Sequence, residues 1–129
     1  MKAPHDGRSY VAADRTQPVY DTTVGGILVE AAARFAARPA LVEGTAHPPD
    51  RRRWTYMELL EAATGAARAL LAHFAPGERV ALWAPNIPEW VILEFGAGLA
   101  GLTLVAVNPV YRSAELRYVL AQSRSAGLL

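Results

Sequence analysis

The sequence predicts an α/β fold in which a parallel βαβ unit forms the sheet, helices flank it, and a small antiparallel ribbon lies at the periphery. Two apolar runs, residues 80–84 and 102–107, are almost unbroken, as in strands that are covered on both faces. Between them, residues 88–99 carry the broad apolar face of a helix that packs on a sheet. Strands joined by such a helix run parallel, with a right-handed crossover.

The composition indicates one globular domain, expected over residues 22–129 behind a polar tail of residues 1–21. Of the 129 residues, 52% are hydrophobic and 19% are charged, a balance that argues against extensive disorder. The chain lacks cysteine, so it forms neither disulfides nor thiolate metal sites. Its formal net charge of +1 gives no field that would attract nucleic acid.

The sequence also indicates whether the chain crosses a membrane. No apolar run reaches the roughly 18 residues of a membrane span, and the first residues lack the apolar segment of a signal peptide. We therefore expect a cytoplasmic protein with no membrane span and no nucleic-acid partner.

The first helix begins at a threonine cap, Thr22 or Thr23, and Pro39 stops it. Apolar side chains at helical spacing predict its buried face: Val24, Ile27, Leu28, Ala31 and Phe35. The following residues, 40–42 and 52–55, are short extended segments on either side of a stretch rich in proline and glycine. This arrangement predicts the antiparallel ribbon.

The second helix begins with a capping box in which Thr55 and Glu58 exchange hydrogen bonds with each other's backbone amides. One apolar face follows at helical spacing: Leu59, Leu60, Ala63, Ala66, Ala67, Leu70, Leu71 and Phe74. For the third helix, Asn86 is the expected N-cap, Pro88 fits the first turn, and Glu89 reaches back to the cap.

The last part of the chain predicts one more helix and one more strand. Ser113 is the expected cap of the fourth helix, whose buried side carries Leu116, Val119 and Leu120. Residues 126–129 then begin a third apolar strand, at which the sequence stops. We expect the chain to be a truncated piece of a longer protein.

Four segments in order carry a resemblance to a known family: residues 54–60 (WTYMELL), residues 77–90 (GERVALWAPNIPEW), Gly101, and residues 108–116 (NPVYRSAEL). Together they resemble the N-terminal part of the AMP-binding, adenylate-forming enzymes, which include acyl-CoA synthetases, luciferases and the adenylation domains of peptide synthetases. The resemblance covers residues 22–129 and is greatest to the fatty-acyl and aryl CoA ligases.

The resemblance implies a truncated piece of the N-terminal domain of an ATP-dependent acyl-CoA ligase. Such an enzyme converts a carboxylate and Mg-ATP to an acyl-adenylate and then passes the acyl group to CoA. The family's phosphate loop, ribose-binding motif and C-terminal lysine have no counterpart in this sequence. We therefore expect no catalytic residue, cofactor or metal within the chain. ATP, Mg²⁺, CoA and a small carboxylic or fatty acid would bind to the parent enzyme, whose remainder is the expected partner.

The candidate site is the loop after the second predicted strand, with Asn108, Pro109 and Tyr111. It leaves the carboxyl end of a parallel strand, where ligands of open α/β sheets bind, and the resemblance places it near the entrance for CoA. The alternative is structural: Asn108 and Pro109 shape the turn, and Tyr111 packs on the neighbouring helix.

Other patterns have structural interpretations. Residues 96–101 spell G-x-G-x-x-G, but they end a helix and precede a strand, which reverses the context of a dinucleotide site. The three arginines at 51–53 are expected at a solvated ribbon edge, and Trp83 and Trp90 are expected to pack. The three histidines, His5, His47 and His73, are spread over the tail, a turn and a helix end with no paired carboxylate at ligand spacing, and surface or helix-end roles are expected for them.

Two classes of function stay open. The first is a structural fragment of an acyl-CoA ligase, and the second is a free-standing, non-catalytic Rossmann-like binding or interaction module. In either case, uncovered sheet edges are expected to pair with a second copy of the chain, which predicts a homodimer.

Overall fold

The computed structural model describes Ala12, Asp14, Thr16 and residues 19–44 and 47–129. Most of the predicted tail, residues 1–21, lies outside this part, as does His5. The elements, in chain order, are α1 Val24–Phe35, β1 Pro39–Val42, a 3₁₀ turn Pro48–Asp50, β2 Arg53–Thr55, α2 Tyr56–Leu71, β3 Arg79–Trp83, α3 Pro88–Leu99, β4 Thr103–Val107, α4 Ser113–Ser123 and β5 Gly127–Leu128.

The strands form the predicted parallel sheet and a separate antiparallel ribbon. The sheet has the order β4-β3-β5, with β3 in the centre and both neighbours parallel to it. Arg79 pairs with Thr103 at one end of β3, and Trp83 pairs with Val107 at the other. Strands β1 and β2 make the two-stranded ribbon. The predicted α/β fold class is confirmed.

The strand order places helices on both faces of the sheet. The chain moves from β3 to β4 in one direction and from β4 across β3 to β5 in the other, so two right-handed crossovers put α3 and α4 on opposite faces. Helices α1, α2 and α3 contact one another and form one layer. Helix α4 contacts β4 and contributes no fully buried residue.

The core lies between this helical layer, the sheet and the ribbon. One group of buried side chains joins α2 and α3 to the sheet: Ala67, Leu70, Val80, Ala97, Ala100 and Leu102. A second group joins α1 and α2 beneath the ribbon: Leu28, Leu59 and Ala63. The sequence had predicted the α2 face well, except that Leu71 is 46% exposed.

Small residues in the G-x-G-x-x-G segment allow close packing, as the sequence suggested. A Cβ built on Gly96 would lie 2.8 Å from the Cβ of Ala66 and 3.1 Å from the carbonyl oxygen of Ala63, so α2 and α3 touch there. Gly101 has φ +70°, a left-handed conformation that glycine adopts without strain, and it turns the chain from α3 into β4.

The predicted helix caps are partly right. The hydroxyl of Thr23 accepts a hydrogen bond from the Gly26 amide at 2.9 Å, and the capping box of Thr55 and Glu58 is present in both directions. The prediction that Asn86 caps α3 is wrong: the N-cap is Ile87, which makes no side-chain cap. Pro88 fixes the first helical residue one position later, where its missing N–H costs nothing.

Two further predictions are corrected. The α4 cap is Arg112 instead of Ser113, and the Glu115 carboxylate accepts from its amide at 3.2 Å. On α1, Val24 and Ile27 are 52% and 45% exposed, whereas the buried residues are Gly25, Leu28 and Ala32. Helix α1 therefore packs through its glycine side, because a Cβ on Gly25 would lie 3.0 Å from the Leu99 amide nitrogen in α3.

Candidate functional site

The carboxyl ends of β3 and β4 form the candidate site. The connections that leave these two strands pass to opposite faces of the sheet, and such a switch point is where open α/β sheets bind ligands. Trp83 and Val107, the last paired residues, bring the loop at 84–87 beside the loop at 108–112. The candidate residues Asn108 and Pro109 therefore lie at this switch point.

Asn108 is the centre of a hydrogen-bonded turn. Its backbone carbonyl accepts from the Trp83 indole N–H at 3.1 Å and from the Tyr111 amide at 3.0 Å. Its side-chain oxygen accepts from the Val110 amide at 3.1 Å, the pattern of an Asx turn. The loop is thus held both internally and by the central strand.

The sequence predicts only a packing role for Trp83 and misses its hydrogen bond to the loop. Its side chain is 39% exposed, and its polar N–H ties β3 to the neighbouring loop. The signal was available, because a partly buried indole at a strand end needs an acceptor for its N–H.

The predicted site residues have different surroundings. Asn108 and Pro109 are exposed, and Val110 at the tip is 77% exposed. Tyr111 is half-buried and lines a groove of about 560 Å³ along α4. The structure brings Asn108 and Tyr111 together through the turn, so the structural role predicted for Asn108 is present. The role at a CoA entrance stays a prediction.

A second feature borders the loop after β3. A cleft of about 260 Å³ lies between the end of β1 and the first turn of α3. Its lining is mostly apolar: Leu41, Val42, Ile87, Pro88, Trp90 and Val91. Glu43, Gly44 and Asn86 complete the wall.

An ion-pair cluster beside this cleft fixes the ribbon to α3. The guanidinium of Arg52 binds Glu43 through two hydrogen bonds, Nε to Oε2 at 3.0 Å and Nη2 to Oε1 at 2.9 Å. The same guanidinium donates to both carboxylate oxygens of Glu89 and lies 5.4 Å from the Trp54 ring centroid. Arg52 is exposed at the ribbon edge, as the sequence predicts, with 46% of its side chain accessible, but these contacts hold it on three sides.

The ribbon register explains the cluster. The Glu43 amide donates to the Arg52 carbonyl at 3.0 Å, so the two side chains face each other across the ribbon. Hydrogen bonds from Arg52 hold the pKa values of Glu43 and Glu89 below their usual range, and the two carboxylates raise the pKa of Arg52 further. All three groups are therefore ionised at neutral pH. The cluster holds the ribbon against the first turn of α3, and we call it the clasp.

Within residues 19–44 and 47–129, no three His, Asp or Glu side chains converge as metal ligands. Of the histidines in that part, His47 lies 4.0 Å from the exposed carboxylate of Asp50, and His73 packs edge-on against Phe74. Searched over the same residues, no helix has the length and apolar character that crossing a bilayer requires.

These features define a class of protein: an α/β domain that presents loops and a shallow apolar cleft at the switch point of a parallel sheet. The sequence model of the family described as "AMP-binding enzyme" matches residues 28–129. The chain therefore belongs to the AMP-binding enzyme family, as the sequence segments had suggested.

Curated relatives include acyl-CoA ligases. The chain is 36% identical over 127 residues to the mouse "Medium-chain acyl-CoA ligase ACSF2, mitochondrial", a match that covers 98% of the chain and 20% of the mouse protein. It is 36% identical over 110 residues to the "Putative acyl-CoA synthetase YngI" of Bacillus subtilis (strain 168), which covers 84% of the chain and 19% of that protein. The chain thus spans about a fifth of the length of these relatives.

Solved structures agree with the fold. A Mycobacterium tuberculosis fatty acyl CoA synthetase matches with a TM-score of 0.75 at 31% identity, covering 82% of this chain and 20% of that one. The N-terminal domain of FACL13 from the same organism gives a TM-score of 0.76 at 30% identity, covering 84% and 27%. The predicted relation to N-terminal domains of adenylate-forming enzymes is confirmed.

Proposed function

We propose that this chain is the N-terminal part of an AMP-forming acyl-CoA ligase. The observation that carries the proposal is the match of nearly the whole chain, at 36% identity, to a fifth of a medium-chain acyl-CoA ligase. The parent would join a carboxylate to the α-phosphate of ATP, releasing pyrophosphate. CoA thiol would then displace AMP from the acyl-adenylate to give the thioester. Fatty or other small carboxylic acids are the proposed substrates.

Within that enzyme, the chain has an architectural role. Phosphoryl and acyl transfer require cations and backbone amides that converge on developing negative charge, and the described switch-point residues offer a turn and an apolar cleft. ATP, Mg²⁺ and CoA would bind mainly to the rest of the parent. A pyrophosphate-release assay tests this: we expect carboxylate-dependent turnover from the full-length protein and none from residues 1–129. Turnover by the 129-residue chain would contradict it.

We infer that the Asn108 turn lies at the entrance for CoA. Its support is the position at the carboxyl edge and the exposed tip at Val110. In the full-length protein, Tyr111→Ala should raise the KM for CoA while leaving the KM for the carboxylate unchanged. Tyr118→Ala is the matched control, because Tyr118 lines the same groove seven residues further along the chain, within α4. An unchanged KM for CoA in Tyr111→Ala would refute the inference.

We also propose that the isolated chain forms a homodimer through the outer edge of β4. The Thr103 amide donates to Glu78 on the β3 side, so the backbone groups of Leu104 and Ala106 point outward. No charge or proline blocks this five-residue edge. Light scattering should show a dimer that Ala106→Lys converts to a monomer. A monomer at every concentration would contradict the proposal.

The alternative function, a free-standing binding module, makes different predictions about the gene and the cell. If the reading frame continues past Leu129 into a phosphate loop with its lysine, the ligase proposal is supported; closure of the frame there would favour the module.

The cytoplasm remains the proposed compartment, although the mouse relative is named mitochondrial. Imaging of a tagged full-length protein decides between the two compartments.

A further inference from the structure

A separate cleft lies at the amino edge of the sheet, away from the switch point. It has a volume of about 420 Å³ and is formed by β3, β4 and the C-terminal turn of α4. Its lining is Arg79, Thr103, Val105, Gln122, Ser123 and Arg124. Arg79 and Trp83 stand at opposite ends of β3, about 13 Å apart at the rise of a strand, so the cleft is distinct from the candidate site.

The cleft concentrates positive charge without a counter-charge. Two of its lining residues are arginines and none is acidic. Within the described part of the chain, neither Arg79 nor Arg124 forms an ion pair, in contrast to Arg52, which binds two carboxylates. Since the whole chain carries a formal charge of only +1, this is a local feature.

The other lining groups suit an anion that accepts hydrogen bonds. The Thr103 hydroxyl and the Gln122 amide add donors beside the two guanidinium groups, whereas the Ser123 hydroxyl already donates to the Leu120 carbonyl at 3.3 Å and lies 2.7 Å from the Ser125 hydroxyl. Arginine presents its N–H groups as a planar fork that matches the oxygens of a phosphate. The chemistry of the lining therefore fits a phosphate group better than a carboxylic acid with an apolar tail.

The C-terminal end of α4 is partly capped by backbone hydrogen bonds, which weakens its repulsion of an anion in this cleft. Unpaired carbonyls at a helix C-terminus would repel negative charge. Here the Leu120 carbonyl accepts from the Ser125 amide at 3.2 Å, and the Ala121 carbonyl accepts from the Arg124 amide at 3.3 Å. Arg124 itself has φ 53°, the left-handed conformation that closes the helix end.

We propose that this cleft binds the phosphate group of a small phosphorylated anion. The proposal does not depend on the ligase function, because it uses none of the switch-point residues. The probes are inorganic phosphate, pyrophosphate and ATP, titrated into the ¹⁵N-labelled 129-residue chain against chloride at constant ionic strength. We expect saturable shifts of the amides of Arg79, Thr103 and residues 122–125 with phosphate and pyrophosphate.

Two variants test the arginines separately. Arg124→Gly removes one guanidinium at a position whose φ suits glycine, so the fold is retained. Arg79→Gln removes the other and leaves a shorter, uncharged polar side chain at this exposed position. Each variant should weaken phosphate binding by about tenfold or more, the loss expected for a hydrogen bond to a charged group. Arg117→Gln, an exposed α4 position outside the lining, removes the same charge and should change affinity less than about twofold.

Three results would overturn the proposal. The first is the absence of saturable shifts, or shifts that vanish at physiological ionic strength, which would indicate an adventitious ion only. The second is an equal loss of affinity in Arg117→Gln and Arg124→Gly, which would show a diffuse counterion effect. The third is binding of ATP without binding of phosphate or pyrophosphate, because recognition would then rest on the base.

Discussion

The contact between α2 and α3 at Gly96 predicts opposite effects for two glycine-to-alanine substitutions. Gly96 is buried, and an added Cβ would lie 2.8 Å from the Cβ of Ala66 and 3.3 Å from the Ala67 amide nitrogen. Neither neighbour can rotate away, since one is an alanine methyl and the other is backbone. Gly65, in contrast, is exposed within α2, and an added Cβ would meet nothing within 4 Å.

The magnitudes follow from packing and helix propensity. Alanine gains up to about 1 kcal/mol over glycine inside a helix, whereas overpacking costs about 1–3 kcal/mol. Gly96→Ala should therefore lower the free energy of unfolding by up to about 2 kcal/mol, because the helices must move apart. Gly65→Ala should raise it by about 0.5–1 kcal/mol, because only the propensity changes.

Urea unfolding followed by far-UV circular dichroism measures both values under the same conditions. The m-value should stay constant, since neither change alters the surface exposed on unfolding. If Gly96→Ala stabilised the chain as much as Gly65→Ala, the close packing of α2 on α3 would be refuted.

Three other predictions address the caps, the clasp and the turn. Thr55→Ala should lower the free energy of unfolding by about 1 kcal/mol in urea, because α2 loses its side-chain cap; no loss would argue against the capping box. Because the carboxylates bound to Arg52 have lowered pKa values when folded, their contribution to stability is present at neutral pH and is lost below about pH 4.3. Between pH 7 and pH 3, the urea concentration at the midpoint of unfolding should therefore fall less steeply for Arg52→Gln than for the unsubstituted chain. Parallel curves for the two proteins would contradict the clasp. Trp83→Phe should speed hydrogen exchange of the Tyr111 amide, because the turn loses its tie to β3; unchanged exchange would show that the tie is unimportant.

The helices and strands were predicted well, because apolar runs and helix caps depend on residues that are close together in the sequence. Continuous apolar runs gave β3 and β4, and the side chains of Thr23 and Thr55 gave two helix starts, because a cap needs only the next few residues. The α3 start was displaced by one residue because proline geometry outweighed the capping preference of Asn86.

The buried faces of the helices and the ion-pair partners of side chains were predicted less well, because they depend on residues distant in the sequence. The spacing on α1 favoured Val24 and Ile27 as buried, yet the helix packs through Gly25 because α3 approaches it there. Likewise, Arg52 finds Glu89 only because the ribbon folds onto the first turn of α3.

The candidate site was likewise predicted only in part from the sequence. The position of Asn108 after a parallel strand pointed to the carboxyl edge, but the indole of Trp83 reaches its carbonyl only once β3 and β4 are in register. The arginine cleft at the other edge gave no sequence signal, because Arg79 and Arg124 are brought together by the crossover of α4.

By itself, the sequence determined the α/β class and the order of the elements, since these follow from apolar periodicity and helix caps, and its four ordered motif segments carried the resemblance to the family. Only the tertiary structure decided the strand order β4-β3-β5, the glycine contacts between helices, the Arg52 clasp and the arginine cleft. The physical reason is that these features arise where segments far apart in the chain meet, and their energies depend on distances that no local pattern specifies.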